Sequence, residues 1–150
     1  MDEAKRRLVV AWCAKAEEDL KVARLLIAEE NRLFAAGVYH CQQAAEKALK
    51  AWLTCRDIVF PKTHDLEALV HLCATAQVGF SAYAEHAREL TPLATEFRYP
   101  GDLQEPEPLR ARHVLVLAEE VVRYSRQIVQ TELGAAEPPC GVGDPPPKVQ

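Results

Sequence analysis

The sequence predicts an all-α, up-and-down bundle of four to five antiparallel helices. Three observations carry that prediction. Apolar residues recur at steps of three and four, no stretch alternates with the period of two that a half-buried strand needs, and turn chemistry cuts the chain into helix-sized pieces. At 150 residues the chain is long enough for one domain with a substantial core. That domain is assigned to residues 1–133. The tail, 134–150, is Pro-rich and poor in core formers, and is expected to be disordered.

The first helix is predicted over about residues 3–30. Trp12, Ala16, Leu20, Ala23 and Ile27 form its buried stripe, Glu17, Glu18, Lys21 and Arg24 face water, and Asn31-Arg32 marks its end. The second, over about 34–55, is the element around which the rest is organised. Val38, Cys41, Ala45, Ala48, Leu49 and Trp52 make one apolar stripe, and Gln42, Gln43, Glu46, Lys47 and Lys50 fall on the other side, which reads as a solvated face. Alanines at 44, 45, 48 and 51 let neighbouring helices come close. Glu46 and Lys50 stand four apart in the favourable order, worth a few tenths of a kcal/mol.

Pro61 closes the next loop, and Thr63 is the expected N-cap of a third helix over about 64–76. Asp65 and Glu67 lie in its first turn and Leu66, Leu69, Val70 and Cys73 on its core face. After a turn at Gln77–Phe80, Ser81 is placed as the cap of a fourth helix over about 81–98, with Tyr83, His86, Leu90, Leu93, Ala94 and Phe97 on its stripe and Pro92 bending or splitting it. Tyr99-Pro100-Gly101-Asp102 ends that helix. The last helix runs over about 107–132 behind a stiff Glu105–Pro108 connector, buries Val114, Leu117, Ala118, Val121, Tyr124 or Ser125, and Ile128, and stops at Gly134.

Composition narrows the function classes. A net charge of −4 argues against a general electrostatic nucleic-acid binder but leaves room for a local basic face. No apolar run approaches the roughly 18–20 residues of a membrane span, and Met1–Arg7 lacks the apolar core of a signal peptide, so a cytoplasmic protein is expected. The five cysteines are an odd number without a Cys-x-x-Cys pair and read as buried reduced thiols. The five histidines show no metal-binding spacing, and the six glycines form no phosphate-binding loop, so neither a metal nor another cofactor is expected.

Three blocks in order add what periodicity does not. Residues 39–53 read YHCQQAAEKALKAWL, residues 61–70 read PKTHDLEALV, and residues 96–102 read EFRYPGD. Through Cys41, Gln42, Ala44, Ala45, Glu46, Lys47, Leu49 and Lys50, then Thr63, His64 and Leu66, then Arg98, Tyr99 and Pro100, the chain resembles the HEPN family of small prokaryotic helical proteins over roughly residues 5–132. That resemblance implies a helical bundle that pairs as a homodimer. It also implies the company of the minimal, stand-alone HEPN proteins, which are often encoded beside a small nucleotidyltransferase and work as two-component systems of toxin–antitoxin type.

Many relatives are ribonucleases whose signature is an Arg and a His with four to six residues between them. The His serves as general base or acid, the Arg holds the phosphate, and two copies meet across a dimer. This sequence departs from that pattern. Arg98 stands where the motif begins, but Leu103, Gln104 and Glu105 stand where the His belongs, and His113 lies fifteen positions beyond Arg98. Arg32 with His40, and Arg56 with His64, each leave seven residues between them. The reading is therefore a binding or partner-binding module for a nucleotide, an RNA or the minimal nucleotidyltransferase, with Arg98, Tyr99, Lys47, Lys50 and His64 as phosphate-binding candidates. The alternative is a divergent metal-independent endoribonuclease using Arg98 with His64 or His113. A third reading is a helical accessory domain with no ligand of its own. For Arg98-Tyr99-Pro100 the choice stands between a helix C-terminus and a ligand site. For Lys62 and His64 it stands between a capping turn and an anion site at the start of the third helix, and for Lys47 and Lys50 between a solvated face and a nucleotide-binding surface. Arg110, Arg112, His113, Arg123 and Arg126 give the last helix a basic edge, interrupted by Glu119 and Glu120.

Overall fold

The computed structural model describes residues 1–101 and 104–135, and every described regular element is helical. The order is α1 (Glu3–Ile27), α2 (Phe34–Cys55), α3 (Leu66–Ala76), α4 (Ala84–Leu90) and α5 (Pro108–Ala135), with short 3₁₀ turns at Val78–Tyr83 and Thr91–Ala94. The assigned tail lies outside the described residues apart from Gly134 and Ala135, and α5 runs through Gly134 to Ala135 instead of stopping there.

α2 is central, packed against α1, α3 and α5. Val38, Cys41, Ala44, Ala45, Ala48, Leu49, Ala51, Trp52 and Leu53 are all buried. The alanines are thus used inside the bundle, between its own helices, and not on an outer face that could meet a second copy. Close approach is visible where α1 hands over to α2. A Cβ on Gly37 would lie 2.4 Å from Ile27 Cγ1. α1 ends three residues earlier than the sequence suggests. Asn31 Nδ2 donates to the Leu25 carbonyl at 2.7 Å, and Arg32 turns the chain with φ 50°.

The N-cap of α3 is Asp65, not Thr63: its carboxylate accepts from the Glu67 and Ala68 N–H groups, while Thr63 Oγ1 accepts from Asp65 N. The expected fourth helix is split. Residues before Ala84 form a 3₁₀ turn in which Ser81 donates to the Val78 carbonyl and caps nothing, and the segment with Pro92 is a second 3₁₀ turn. Pro92 has no N–H to continue the ladder, so α4 stops at Leu90. Thr91 ties this break to α3 by accepting from Leu66 N at 3.0 Å. One end of the bundle is aromatic: Phe80 lies between Trp52 and Tyr124, and Tyr124 also meets Tyr83.

The thiols of Cys41, Cys55 and Cys73 are buried and reduced, and Cys13 is half-buried; Cys140 lies outside the described residues. Burial pushes the Cys13 thiol up to about 11 and the Cys41 thiol up to about 12.

Candidate functional site

The polar side of α2 is not a solvated face. Gln42 is fully buried, and Glu46 and Lys50 are only 5% and 9% exposed. The loop from Arg56 to Asp65 and the N-terminal half of α1 cover them. Lys50 Nζ donates to Glu46 Oε1 at 2.6 Å and sits about 6 Å from the Trp12 and Phe60 rings. Glu46 Oε2 accepts from Gln42 Nε2 at 3.0 Å and from His64 Nδ1 at 2.9 Å. Burial alone raises the Glu46 pKa, but the bonds from Lys50, His64 and Gln42 and the nearby Lys50 charge outweigh it and hold the carboxyl below its ordinary value. Lys50 is therefore turned into a buried ion pair, and His64 is held to that pair from outside.

A second cluster lies one helical step round α2, toward its start. Asp19 of α1 is buried; it accepts from Lys47 Nζ through Oδ2 and from His40 Nδ1 through Oδ1 at 2.9 Å. A carboxylate only accepts, so Nδ1 carries the proton and the Nε2 edge of His40 is left open, with no protein partner among the described residues. The His40 ring meets the Tyr39 ring edge-on, their centroids 5.3 Å apart. On the Tyr39 ring lies Arg98, its guanidinium carbon 3.7 Å from the ring centre. At that distance the guanidinium is in van der Waals contact with the ring face, and the Arg98 side chain is exposed to solvent. No carboxylate pairs with Arg98 among the described residues.

The chain is bent to put Arg98 there. Phe97 has φ 64°, a left-handed conformation that costs a bulky residue of order 1–3 kcal/mol. It is kept by packing against the core and under Arg110, whose guanidinium is 5.5 Å from the Phe97 ring. Arg98 is thus not at a helix C-terminus, since the last helical turn ends at Ala94. Tyr99 is exposed beside it.

The other candidates lie elsewhere. His113 pairs with Glu89 at 3.0 Å, and His64 with Glu46, and neither has a hydrogen bond or ring contact with Arg98. The anion reading at the start of α3 meets an obstacle, because Asp65 and Thr91 already take the Leu66, Glu67 and Ala68 N–H groups. The basic edge of α5 is largely paired: Arg110 with Glu96, Arg112 with Glu29, Arg126 with Glu17. Glu105, at the end of the stretch where the motif His belongs, accepts from Ala35 N at 3.3 Å and so caps α2, which has no capping side chain of its own. Among the described residues no group of His, Cys, Asp and Glu is arranged to hold a metal.

The sequence matches the HEPN domain over residues 9–128. The chain belongs to the HEPN family. Its fold is similar to the crystal structure of an archaeal HEPN homologue, with a TM-score of 0.62 at 23% identity over 81% of this chain and 97% of that one. No curated protein matches it. At that identity the likeness speaks for the HEPN bundle alone, and the functional reading rests on the residues. Spacing rules do not single out Tyr39, His40 or Asp19. The one available signal is Asp19 itself, a carboxylate at a core-stripe position between Ala16 and Ala23 of α1.

Proposed function

We propose that this HEPN protein binds a phosphorylated ligand, a nucleotide or an RNA, at the cluster of Arg98, Tyr39, His40 and Lys47. On this reading it is the HEPN component of a cytoplasmic, two-component pair of toxin–antitoxin type with a minimal nucleotidyltransferase, and acts as a homodimer. The observation that carries the reading is Arg98: an exposed cation over the face of an aromatic ring, with no carboxylate partner among the described residues. A planar guanidinium presented in this way suits a phosphate, which it can grip through two parallel hydrogen bonds. Tyr99 stands beside it as a further candidate contact. No described helix is long and apolar enough to cross a membrane.

A second reading has its own support. His40 has Nδ1 fixed by a buried carboxylate and Nε2 open, two ring contacts away from Arg98. That is the arrangement of a general acid or base next to a phosphate-holding cation. A divergent metal-independent endoribonuclease would then use Arg98 with His40, in place of His64 or His113. Incubation of the purified protein with RNA in the presence of a chelator, beside Arg98→Ala, His40→Gln and a His64→Ala/His113→Ala double variant, separates the two. RNA that binds and stays intact, with binding lost in Arg98→Ala, is the expected result. Cleavage abolished by His40→Gln but kept by the double variant makes the protein an enzyme.

A further inference from the structure

α1 and α5 run antiparallel and are joined by long side chains across a seam. Glu17 pairs with Arg126 at 3.2 Å, Arg24 with Glu119 at 2.9 Å and Glu29 with Arg112 at 3.4 Å. Each helix packs mainly on α2, and a groove is left between them. Two open pockets, of about 500 Å³ and about 240 Å³, share Glu17 and Arg126 and so form one continuous channel. Its middle is cationic: the walls carry Lys21, Arg24, Arg123 and Arg126 against two carboxylates, Glu17 and Glu119. Arg126 and Arg24 take both carboxylates, so the exposed Lys21 and Arg123 have no carboxylate partner among the described residues. On a chain of net charge −4 this is a local positive strip. Apolar groups lie on either side of it. Val10, Val129 and Leu133 line one end, and Val10 is half exposed. Toward the other end stand the exposed Leu25 and Val116, one turn from Glu29 and from Arg112 respectively.

We propose that this seam is the docking site for a partner protein's amphipathic helix, one whose apolar residues flank a patch of carboxylates. The groove is walled by two helices and open on its outer side. A small molecule would leave much of its surface in water there, whereas a helix satisfies its own backbone and lays one face into the groove. Val10 to Leu25 is about 22 Å of helix, roughly four turns for a partner to cover. Charge sets the sign of that partner. A second copy docked two-fold on the same seam would turn the positive strip against itself, whereas carboxylates pair with Lys21 and Arg123.

Two synthetic helical peptides of about 18 residues test this. They share one leucine face, flanked by glutamates in one and by lysines in the other. Binding to the intact protein is followed by fluorescence anisotropy. Wild type should bind the glutamate peptide at least about tenfold more tightly than the lysine peptide, with the difference shrinking as salt is raised. Lys21→Glu/Arg123→Glu should abolish or invert that preference. Val10→Ser/Leu25→Ser should weaken the glutamate peptide roughly tenfold and keep the preference. All four positions are exposed, so the variants leave the core intact. No binding of the glutamate peptide to wild type, equal binding of the two peptides, or a preference that survives the charge reversal overturns the proposal. So does a wild-type dimer, in sedimentation, that Lys21→Glu/Arg123→Glu dissociates, because a second copy then fills the seam.

Discussion

The Arg98 guanidinium lies over the Tyr39 ring, its carbon 3.7 Å from the ring centre, although the two residues belong to separate parts of the chain. The strained turn at Phe97 delivers Arg98, and the first turns of α2 deliver Tyr39. A stacked arginine keeps its planar fork in one orientation, so less freedom is lost when it grips an anion. Replacing Tyr39 by Leu removes the platform and leaves the charge. An exposed cation–π contact is worth about 0.5–1 kcal/mol, so affinity for a phosphorylated ligand should fall roughly two- to fivefold. Arg98→Lys keeps the charge but loses both stack and fork, and should weaken binding further; calorimetric titration of both variants checks the order.

Glu46 sets how the fold responds to acid. Its folded pKa is lowered, so its contribution to stability is complete above the unfolded value of about 4.3 and is lost as pH falls through the folded value. Chemical denaturation at a series of pH values should show wild type losing stability below about pH 4.5 more steeply than Glu46→Gln. At neutral pH Glu46→Leu leaves Lys50 buried without its partner, and should cost about 3 kcal/mol.

These two sites show how far the sequence can be read. α2 begins and ends where its pattern says, at Phe34 and Cys55, because Val38, Cys41, Ala45, Leu49 and Trp52 keep one unbroken stripe. Leu66, Leu69, Val70 and Cys73 of α3 are buried for the same reason. Periodicity sorts residues by polarity, however, and assigns polar ones to water. Gln42, Glu46 and Lys50 are polar and buried because they satisfy one another and His64, a pairing between α2 and a loop that no spacing rule contains. The Arg98–Tyr39 stack escapes for a related reason. It depends on the left-handed turn at Phe97, a residue type that gives no warning of positive φ.

Gly37 tests the junction between α1 and α2. A methyl group there would meet Ile27 Cγ1 at 2.4 Å, and Ile27 is itself buried. Gly→Ala inside an exposed helix usually stabilises. Here overpacking should win, and Gly37→Ala should destabilise by about 1–3 kcal/mol in a urea titration.

The thiols give a check on packing. In a Cys140→Ser background only the four described cysteines remain. With Cys13 raised to about 11 and Cys41 to about 12, little thiolate exists at neutral pH. A disulfide reagent should modify the native protein at least about tenfold more slowly than the urea-unfolded chain. Rapid labelling of the native state would mean that α1 and α2 separate readily.

The central claim is that Arg98, Tyr39 and His40 form an anion site on the HEPN bundle. The most direct measurement is an amide NMR titration of the isotopically labelled protein with uridine 3′-monophosphate, beside Arg98→Ala. The account predicts saturable shifts centred on Tyr39, His40, Lys47 and Arg98, and their disappearance in the variant. Shifts centred on the groove of about 500 Å³ between α1 and α5, around Val10, Lys21 and Leu133, or shifts unchanged in Arg98→Ala, would contradict it.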